Sequence, residues 1–187
     1  DDSDRAGPGR GPRRSDGRRL RLSDQIRNSR WPDQSSRHAE GLNRQADGRF
    51  SQSIASNPAH ALWTGIVDPG HAEAVVRRAM QRDMFSGWGI RTLSADDASY
   101  NPVDYQVGSV WPHDNGFIVA GMHRYGFQRE ASQLFTAVMH AASKFEGFRL
   151  PETFAGYDRG YATVPVRYPV ACSPQAWTAA AIPFMLQ

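Results

Sequence analysis

The sequence has 187 residues, of which 40% are hydrophobic, and a formal net charge of +3. This length and apolar content suffice for one domain with a core of its own. A single cysteine excludes an intrachain disulfide framework and a cysteine-based metal cluster, and no apolar run approaches the roughly 18 residues of a membrane span. We therefore expect no metal, no cofactor and no membrane contact, and a cytoplasmic location because no signal peptide is visible.

Composition divides the chain into two parts. Residues 1–41 are rich in Arg, Gly and Pro and poor in apolar residues, so they cannot bury enough apolar surface to offset chain entropy. We expect this arm to be disordered. A basic arm could contact nucleic acid. Its composition has no pattern, however, which favours a non-native segment translated out of frame. No nucleic-acid partner is expected, and residues 42–187 are predicted to form the folded domain.

Capping residues and apolar spacing predict a first antiparallel helical hairpin over residues 57–82. Asn57-Pro58 and Asp68-Pro69 each place a capping side chain before a proline that suits the first helical turn. Apolar residues at helical spacing follow each of these starts.

A second hairpin is predicted over residues 114–144. Its first helix, from about Asp114 to Arg124, is apolar almost all round, which argues for burial among other helices. Its second helix has a regular stripe, formed by Ala131, Leu134, Phe135, Val138, Met139 and Ala142.

Ser173-Pro174 is predicted to open a fifth helix, which Pro183 should kink or end. The expected inner stripe of this helix is Trp177, Ala180, Ala181 and Phe184. Long loops at 86–111 and 145–172 join the predicted helices and carry many aromatic residues. Loops of this length are usually functional or disordered, and the density of Trp and Tyr argues for function. Hairpins with aromatic loops at one end suit a helical toroid around a saccharide pocket.

Glu152 is the loop carboxylate best placed for glycoside hydrolysis, which needs one protonated and one ionised carboxyl group across the scissile bond. It lies between an apolar helix and a Tyr-rich loop, and Pro151 restricts the backbone before it. The alternative is a solvated loop carboxylate without a catalytic role.

Trp111, His113, Asp114 and Asn115 form a second candidate group within five residues. They combine a ring on which a sugar can stack with several hydrogen-bonding side chains. The alternative is that Asp114 or Asn115 caps the third helix. The sequence lacks the Gly-x-Ser-x-Gly turn of a serine hydrolase, and its histidines do not pair on one helical face, which argues against a metal.

Several unusual blocks in register carry a resemblance to a known family. They are Ser86-Gly87-Trp88-Gly89-Ile90-Arg91, Tyr100-Asn101-Pro102, Gly108-Ser109-Val110-Trp111-Pro112-His113-Asp114-Asn115, Arg149-Leu150-Pro151-Glu152 and Tyr168-Pro169-Val170-Ala171-Cys172-Ser173-Pro174-Gln175. Over roughly residues 42–187 the chain resembles the bacterial amylo-α-1,6-glucosidases, which are glycogen-debranching-like glycoside hydrolases.

The resemblance implies an all-α fold, part of an (α/α)6 toroid of antiparallel hairpins. It also implies inverting hydrolysis of α-glucosidic bonds, such as the α-1,6 linkages of glycogen-like substrates. Related toroid enzymes act on mannosylglycerate-type compounds and on the glucose caps of N-glycans. Carried over by motif, Glu152 is the implied general base. The implied sugar contacts are Trp88, Trp111, His113, Asp114 and Gln175.

The general acid of such enzymes is an Asp in an upstream Trp-Lys-Asp-Ser-like block. The nearest block here, Arg30-Trp31-Pro32-Asp33-Gln34, matches poorly and lies too close to Trp88, so Asp33 is not assigned. We therefore expect a fragment that holds the base half of the active site and turns over little by itself. Its expected partner is an oligosaccharide or α-glucan. The rival interpretations are a non-catalytic saccharide-binding remnant and a basic-arm adaptor.

Overall fold

The computed structural model describes residues 53–187. The predicted arm and its boundary at residues 41 and 42 lie outside the described residues and stay a prediction. Five α-helices follow one another in the described part: α1 (Asn57–Thr64), α2 (Pro69–Ala79), α3 (Pro112–Arg124), α4 (Gln128–Ala142) and α5 (Ala176–Met185). A 3₁₀ turn, Glu146–Phe148, lies between α4 and α5. None of the helices described is both long and apolar enough to span a membrane.

The helices α1 and α2 form the first predicted hairpin. Gly65 ends α1 in the left-handed conformation, with φ of 73°, which glycine adopts without steric cost. Asp68 caps α2 as predicted, because its side chain accepts a hydrogen bond from Gly70 N at 2.9 Å. The predicted Asn57 cap is wrong: Asn57 is already helical, and Ser56 at the cap position makes no side-chain cap bond.

The helices α3 and α4 form the second predicted hairpin. α3 begins at Pro112 rather than near Asp114, because the fixed φ of proline suits a first helical turn. The predicted stripe of α4 packs inward. Its fully buried members are Ala131, Leu134, Val138 and Ala142, to which the structure adds Ala137 and Ala141.

The helices α1 and α3 lie side by side and run in the same direction. Near their amino ends His60 of α1 contacts Asp114 of α3. Near their carboxyl ends Arg124 of α3 donates to the Trp63 carbonyl of α1 at 3.4 Å. Contacts that pair start with start and end with end exist only between parallel neighbours.

The helix α5 lies along α3 in the same sense. His113 stacks on Trp177 near the amino ends, with ring centroids 4.2 Å apart, and Phe117 meets Phe184 further along at 5.7 Å. Three parallel helices, with α2 and α4 returning antiparallel to their neighbours, are the layers of a partial (α/α)6 toroid. The predicted fold class is confirmed for the described residues.

Two predictions for α5 are wrong. The helix begins at Ala176, two residues after Pro174, so Ser173-Pro174 does not open it. Its buried residues are Thr178, Ala181 and Met185, and of the predicted stripe only Ala181 is buried. The reason is that Ala181 and Met185 pack closely on α3 at Gly116, whereas Trp177 meets α3 at its first turn by stacking on His113 and stays 53% exposed.

Gly121 allows α1 and α3 to approach closely. A Cβ at this position would lie 2.6 Å from Trp63 N and 2.7 Å from Leu62 Cβ. We expect Gly121→Ala to lower the free energy of unfolding by about 1–3 kcal/mol, as overpacking does. Urea denaturation followed by circular dichroism measures this change.

The matched control is Gly70→Ala in the exposed first turn of α2. A Cβ on Gly70 would come close to Asp68 Oδ1, at 3.2 Å, on an exposed side chain that can give way, so this variant should destabilise far less than Gly121→Ala. A Gly121→Ala protein as stable as the wild type would contradict this account of the α1–α3 contact.

Candidate active site

Isolated antiparallel bridges join the two long loops beside the amino ends of α1, α3 and α5. They pair Val110 with both Arg91 and Phe154, and Phe154 with Arg167. The Val110–Phe154 pair is closed by hydrogen bonds of 2.8 and 3.0 Å in the two directions. Because Val110 directly precedes Trp111 and Phe154 lies two residues after Glu152, this pair brings the two predicted site blocks together.

The buried Arg91 holds the same loops to each other. Its guanidinium donates to the carbonyl oxygens of Gly156 at 2.6 Å, Arg82 at 2.9 Å and Asp83 at 3.1 Å. A buried charged group is tolerated when it is hydrogen-bonded in this way. The backbones cross closely, since a Cβ on Gly156 would lie 1.7 Å from the Gly108 carbonyl oxygen. The scaffold of the site is therefore tightly specified.

Asn115 joins these loops to α3. Its Oδ1 accepts from Ile90 N at 2.7 Å, and its Nδ2 donates to the carbonyls of Ile90 at 3.2 Å and Trp111 at 2.8 Å. The side chain is completely buried. The alternative that Asp114 or Asn115 caps α3 is thus wrong, because α3 begins before both residues and Asn115 pairs with the loop.

Glu152 is half-buried, and its carboxylate is held by α5. Gln175 Nε2 donates to Glu152 Oε1 at 3.0 Å. Thr178 Oγ1 donates to Gln175 Oε1 at 2.9 Å, which fixes the amide with its NH₂ group toward the carboxylate. The backbone N of Glu152 also donates to the Cys172 carbonyl at 2.8 Å. Glu152 is therefore an oriented side chain and not a freely solvated one.

Tyr105 is a second partner of Glu152 that sequence reasoning did not assign. Burial, together with the hydrogen bond to Glu152 and its negative charge, raises the pKa of Tyr105 to about 12. The phenol is therefore protonated at neutral pH and has a proton to offer the carboxylate. Its ring packs edge-on against Trp111, with centroids 4.7 Å apart. The only signal in the sequence was its place among the loop aromatics.

The first turn of α3 adds a neutral histidine and a buried carboxylate. Burial lowers the pKa of His113 below 6.5, although the charge of Asp114 opposes the shift. Asp114 is 7% exposed. His113 Nδ1 and Asp114 Oδ2 are buried and make no hydrogen bond within the described residues. Such groups normally have a partner, which makes this turn a candidate binding surface.

Five of the six predicted site residues are linked by contacts at one end of the helices. Glu152 bonds to Gln175, and Trp177, two residues further on, stacks on His113. His113 in turn lies edge-on to Trp111, with centroids 5.5 Å apart. Asp114 follows His113 in the same turn.

Trp88 is the exception. It belongs to the core with 1% exposure, donates from Nε1 to the Ala162 carbonyl at 3.2 Å and is covered by Arg159, whose guanidinium carbon lies 4.4 Å from the ring centroid. A ring buried to this extent has no face for a sugar, so its expected direct sugar contact disagrees with the structure. The cause is tertiary packing that a motif does not reveal.

An open cavity of about 500 Å³ lies elsewhere, on the outer face of α4. It is lined by Phe85, Gly87, Arg129, Ser132, Gln133, Thr136, Ala137, His140 and Arg159. It contains none of the predicted site residues, and we do not assign the site to it. Among residues 53–187, no three His, Cys, Asp or Glu side chains are grouped as metal ligands.

A family model matches residues 9–158, and its description is the mannosylglycerate hydrolase MGH1-like glycoside hydrolase domain. The chain belongs to this family. The match begins within the predicted arm and ends after Glu152. The match confirms the predicted class of six-hairpin glycoside hydrolase. The family description names mannosylglycerate hydrolase and does not name the amylo-α-1,6-glucosidases that the sequence resembles.

Solved structures share the fold of this chain. The chain is similar to the GH63 mannosylglycerate hydrolase from Thermus thermophilus in complex with Tris and D-glycerate, with TM-score 0.61 and 20% identity over 75% of this chain and 32% of that chain. For the complex with glucose the TM-score is 0.59, with 21% identity over 75% and 31%. This MGH1-like chain thus spans about a third of the length of these structures. No curated protein matches it in sequence.

We expect Asn115→Ala to destabilise the fold by about 2–4 kcal/mol, because it leaves the buried N–H and carbonyl of Ile90 without this partner, at roughly 1–3 kcal/mol each. Urea denaturation measures the loss. Asn115→Asp tests the donor separately, since a carboxylate accepts from Ile90 N but cannot donate to the two carbonyls. An Asn115→Ala protein within experimental error of the wild type would refute the role of this amide.

The link between Tyr105 and Glu152 is testable by titration. Glu152→Gln removes the negative charge that opposes ionisation of the phenol, so the pKa of Tyr105 should fall below its wild-type value of about 12. NMR of protein labelled with ¹³C at tyrosine Cζ follows each phenol separately, and Tyr105→Phe assigns the signal.

Tyr100 is the internal control for this titration. Burial raises its pKa too, but the charges that act on it belong to Arg91, Tyr157 and Asp158. Glu152→Gln should therefore leave the Tyr100 titration unchanged. Equal shifts at both tyrosines, or none at Tyr105, would contradict the proposed contact.

Proposed function

We propose that this MGH1-like chain is the part of an inverting α-glycoside hydrolase that supplies the general base, Glu152. The observation that carries the proposal is the oriented carboxylate of Glu152, hydrogen-bonded by Gln175 beside the Trp111–His113–Asp114 turn. Family membership supplies the reaction class. The other candidate contacts are Trp111, His113, Asp114 and Gln175, which present aromatic edges and hydrogen-bonding groups to a sugar.

In this proposal Glu152 accepts a proton from a water molecule, which attacks the anomeric carbon from the face opposite the leaving group. Gln175 donates to one oxygen of the carboxylate and Tyr105 interacts with it, and so they orient its remaining lone pairs toward the water. Inversion needs a partner acid at roughly 6.5–9.5 Å, which leaves room for that water. We place the acid on another part of the toroid, outside this chain.

The proposed substrate is an α-glycoside of a small polar aglycone, of the mannosylglycerate type. The support is the family description and the D-glycerate and glucose complexes named for the similar Thermus thermophilus enzyme. The α-1,6 linkage of a glycogen-like glucan is the second candidate, on the strength of the sequence blocks around Trp111 and Glu152. A non-catalytic saccharide-binding remnant is the third. The cytoplasmic location stays a prediction.

In a complete toroid that contains this sequence, we expect Glu152→Gln to lower kcat by about 10²–10⁴-fold, the usual contribution of acid–base assistance. Substrate affinity should be largely kept, because the amide preserves shape but cannot accept the proton. Hydrolysis is measured on mannosylglycerate and on an α-1,6-linked glucose oligomer. Anomer-resolved NMR of the wild-type product should show inverted configuration.

Glu146→Gln, at an exposed position of the 3₁₀ turn, is the matched control and should leave turnover unchanged. Faster hydrolysis of the glucose oligomer than of mannosylglycerate would favour the α-1,6-linked glucan as the substrate. Retained anomeric configuration, or near-normal turnover by Glu152→Gln, would overturn the role of Glu152.

A further inference from the structure

His60 has no role in the site described so far, yet it contacts one of its members. It lies on α1, and its Nε2 contacts Oδ1 of Asp114 in the first turn of α3. The imidazole is also edge-on to Phe117, with centroids 6.1 Å apart. About two-thirds of its side chain is covered, since 35% is exposed. The ring is therefore placed by neighbours on α3.

Asp114 is engaged on one side only. Its side chain is 9% exposed, and His60 Nε2 contacts its Oδ1. Neither His60 Nε2 nor Asp114 Oδ2 makes a hydrogen bond of ordinary geometry within the described residues. His113 Nδ1, on the preceding residue, is likewise buried without a partner. Buried polar atoms of this kind are costly unless another group satisfies them.

Asp114 Oδ2 and His113 Nδ1 have complementary chemistry. An ionised Asp114 accepts hydrogen bonds at Oδ2 but has no proton to donate. His113 Nδ1 donates or accepts according to its tautomer. Hydroxyl groups both donate and accept. Neighbouring hydroxyls on one sugar ring can therefore satisfy both atoms, and an aliphatic or purely anionic ligand cannot.

We propose that His60 is a positioning residue, which holds Oδ1 of Asp114 so that Oδ2 stays directed to a hydroxyl group of the bound saccharide. The proposal rests on the function proposed above and adds to it a residue from α1. A carboxylate that is fixed through one oxygen cannot rotate to present either oxygen at random. The ligand therefore meets an acceptor that is already oriented, which lowers the entropic cost of binding.

The test compares two substitutions of similar size. Gln at position 60 keeps an N–H donor at about the reach of Nε2, whereas Met fills the space without a donor. Saturation-transfer NMR measures binding of mannosylglycerate and of isomaltose to the whole chain. We expect His60→Met to weaken binding about tenfold, because it removes a polar contact to a carboxylate. His60→Gln should stay within about threefold of the wild type, since it keeps a donor beside Asp114.

A second measurement tests the contact without any sugar. In ¹H–¹⁵N spectra of the histidine side chains, Asp114→Asn should shift His60 Nε2 and leave the exposed His140 ring unchanged. This measurement uses variants at position 114 and so stays decisive if His60→Met fails to fold.

The outcomes separate the two proposals. If the wild type binds sugar, three results would each overturn the role of His60. They are unchanged binding by His60→Met, no rescue by His60→Gln, and a His60 signal that does not respond to Asp114→Asn. Absence of saccharide binding by the wild type, with the His60 signal still coupled to Asp114, instead removes the proposed function and with it the ligand assigned to this pair.

Discussion

The site depends on one buried side-chain amide, that of Asn115. Its three hydrogen bonds join the backbone of Ile90 and the carbonyl of Trp111 to the first turn of α3. Without it, Ile90 would lose the side-chain hydrogen bonds that join it to α3, and apolar contacts alone do not fix direction. The amide therefore sets where the loop lies, and the same turn of α3 carries His113 and Asp114.

The candidate base is oriented from two sides by elements far apart in the chain. Gln175, the residue before α5, donates to Glu152, and Thr178 fixes the orientation of the Gln175 amide. Tyr105 reaches the same carboxylate from the first long loop. A carboxylate that is held by Gln175 and has Tyr105 beside it keeps a defined direction for its remaining lone pairs, which is what activation of a single water requires.

The face of α1, α3 and α5 opposite to α2 and α4 carries aromatic residues that stay partly open. Trp63 is 42% and Trp177 is 53% exposed, and Phe117 lies against Trp63 with centroids 4.5 Å apart. An apolar face of this kind usually marks an interaction surface. In a toroid the inner helices face the centre, and the similar structures are about three times longer than their match to this chain.

The sequence by itself determined the features that depend on neighbouring residues. The two hairpins, the Asp68 cap and the stripe of α4 follow from caps and spacing, which act within a few residues of the chain. The blocks around Trp111 and Glu152 were found by motif, and Gln175 with them. Family membership bears out the glycosidase class that these blocks indicated.

Only the tertiary structure decided the features that depend on which elements become neighbours. The burial of Trp88 needs the core and Arg159 around it, and the buried side of α5 is set by α3. The contact of His60 with Asp114 exists because Gly121 lets α1 and α3 lie close and parallel. A local pattern shows that a helix has an apolar side. Long-range packing selects the neighbour that covers this side and the end of the helix at which polar groups meet.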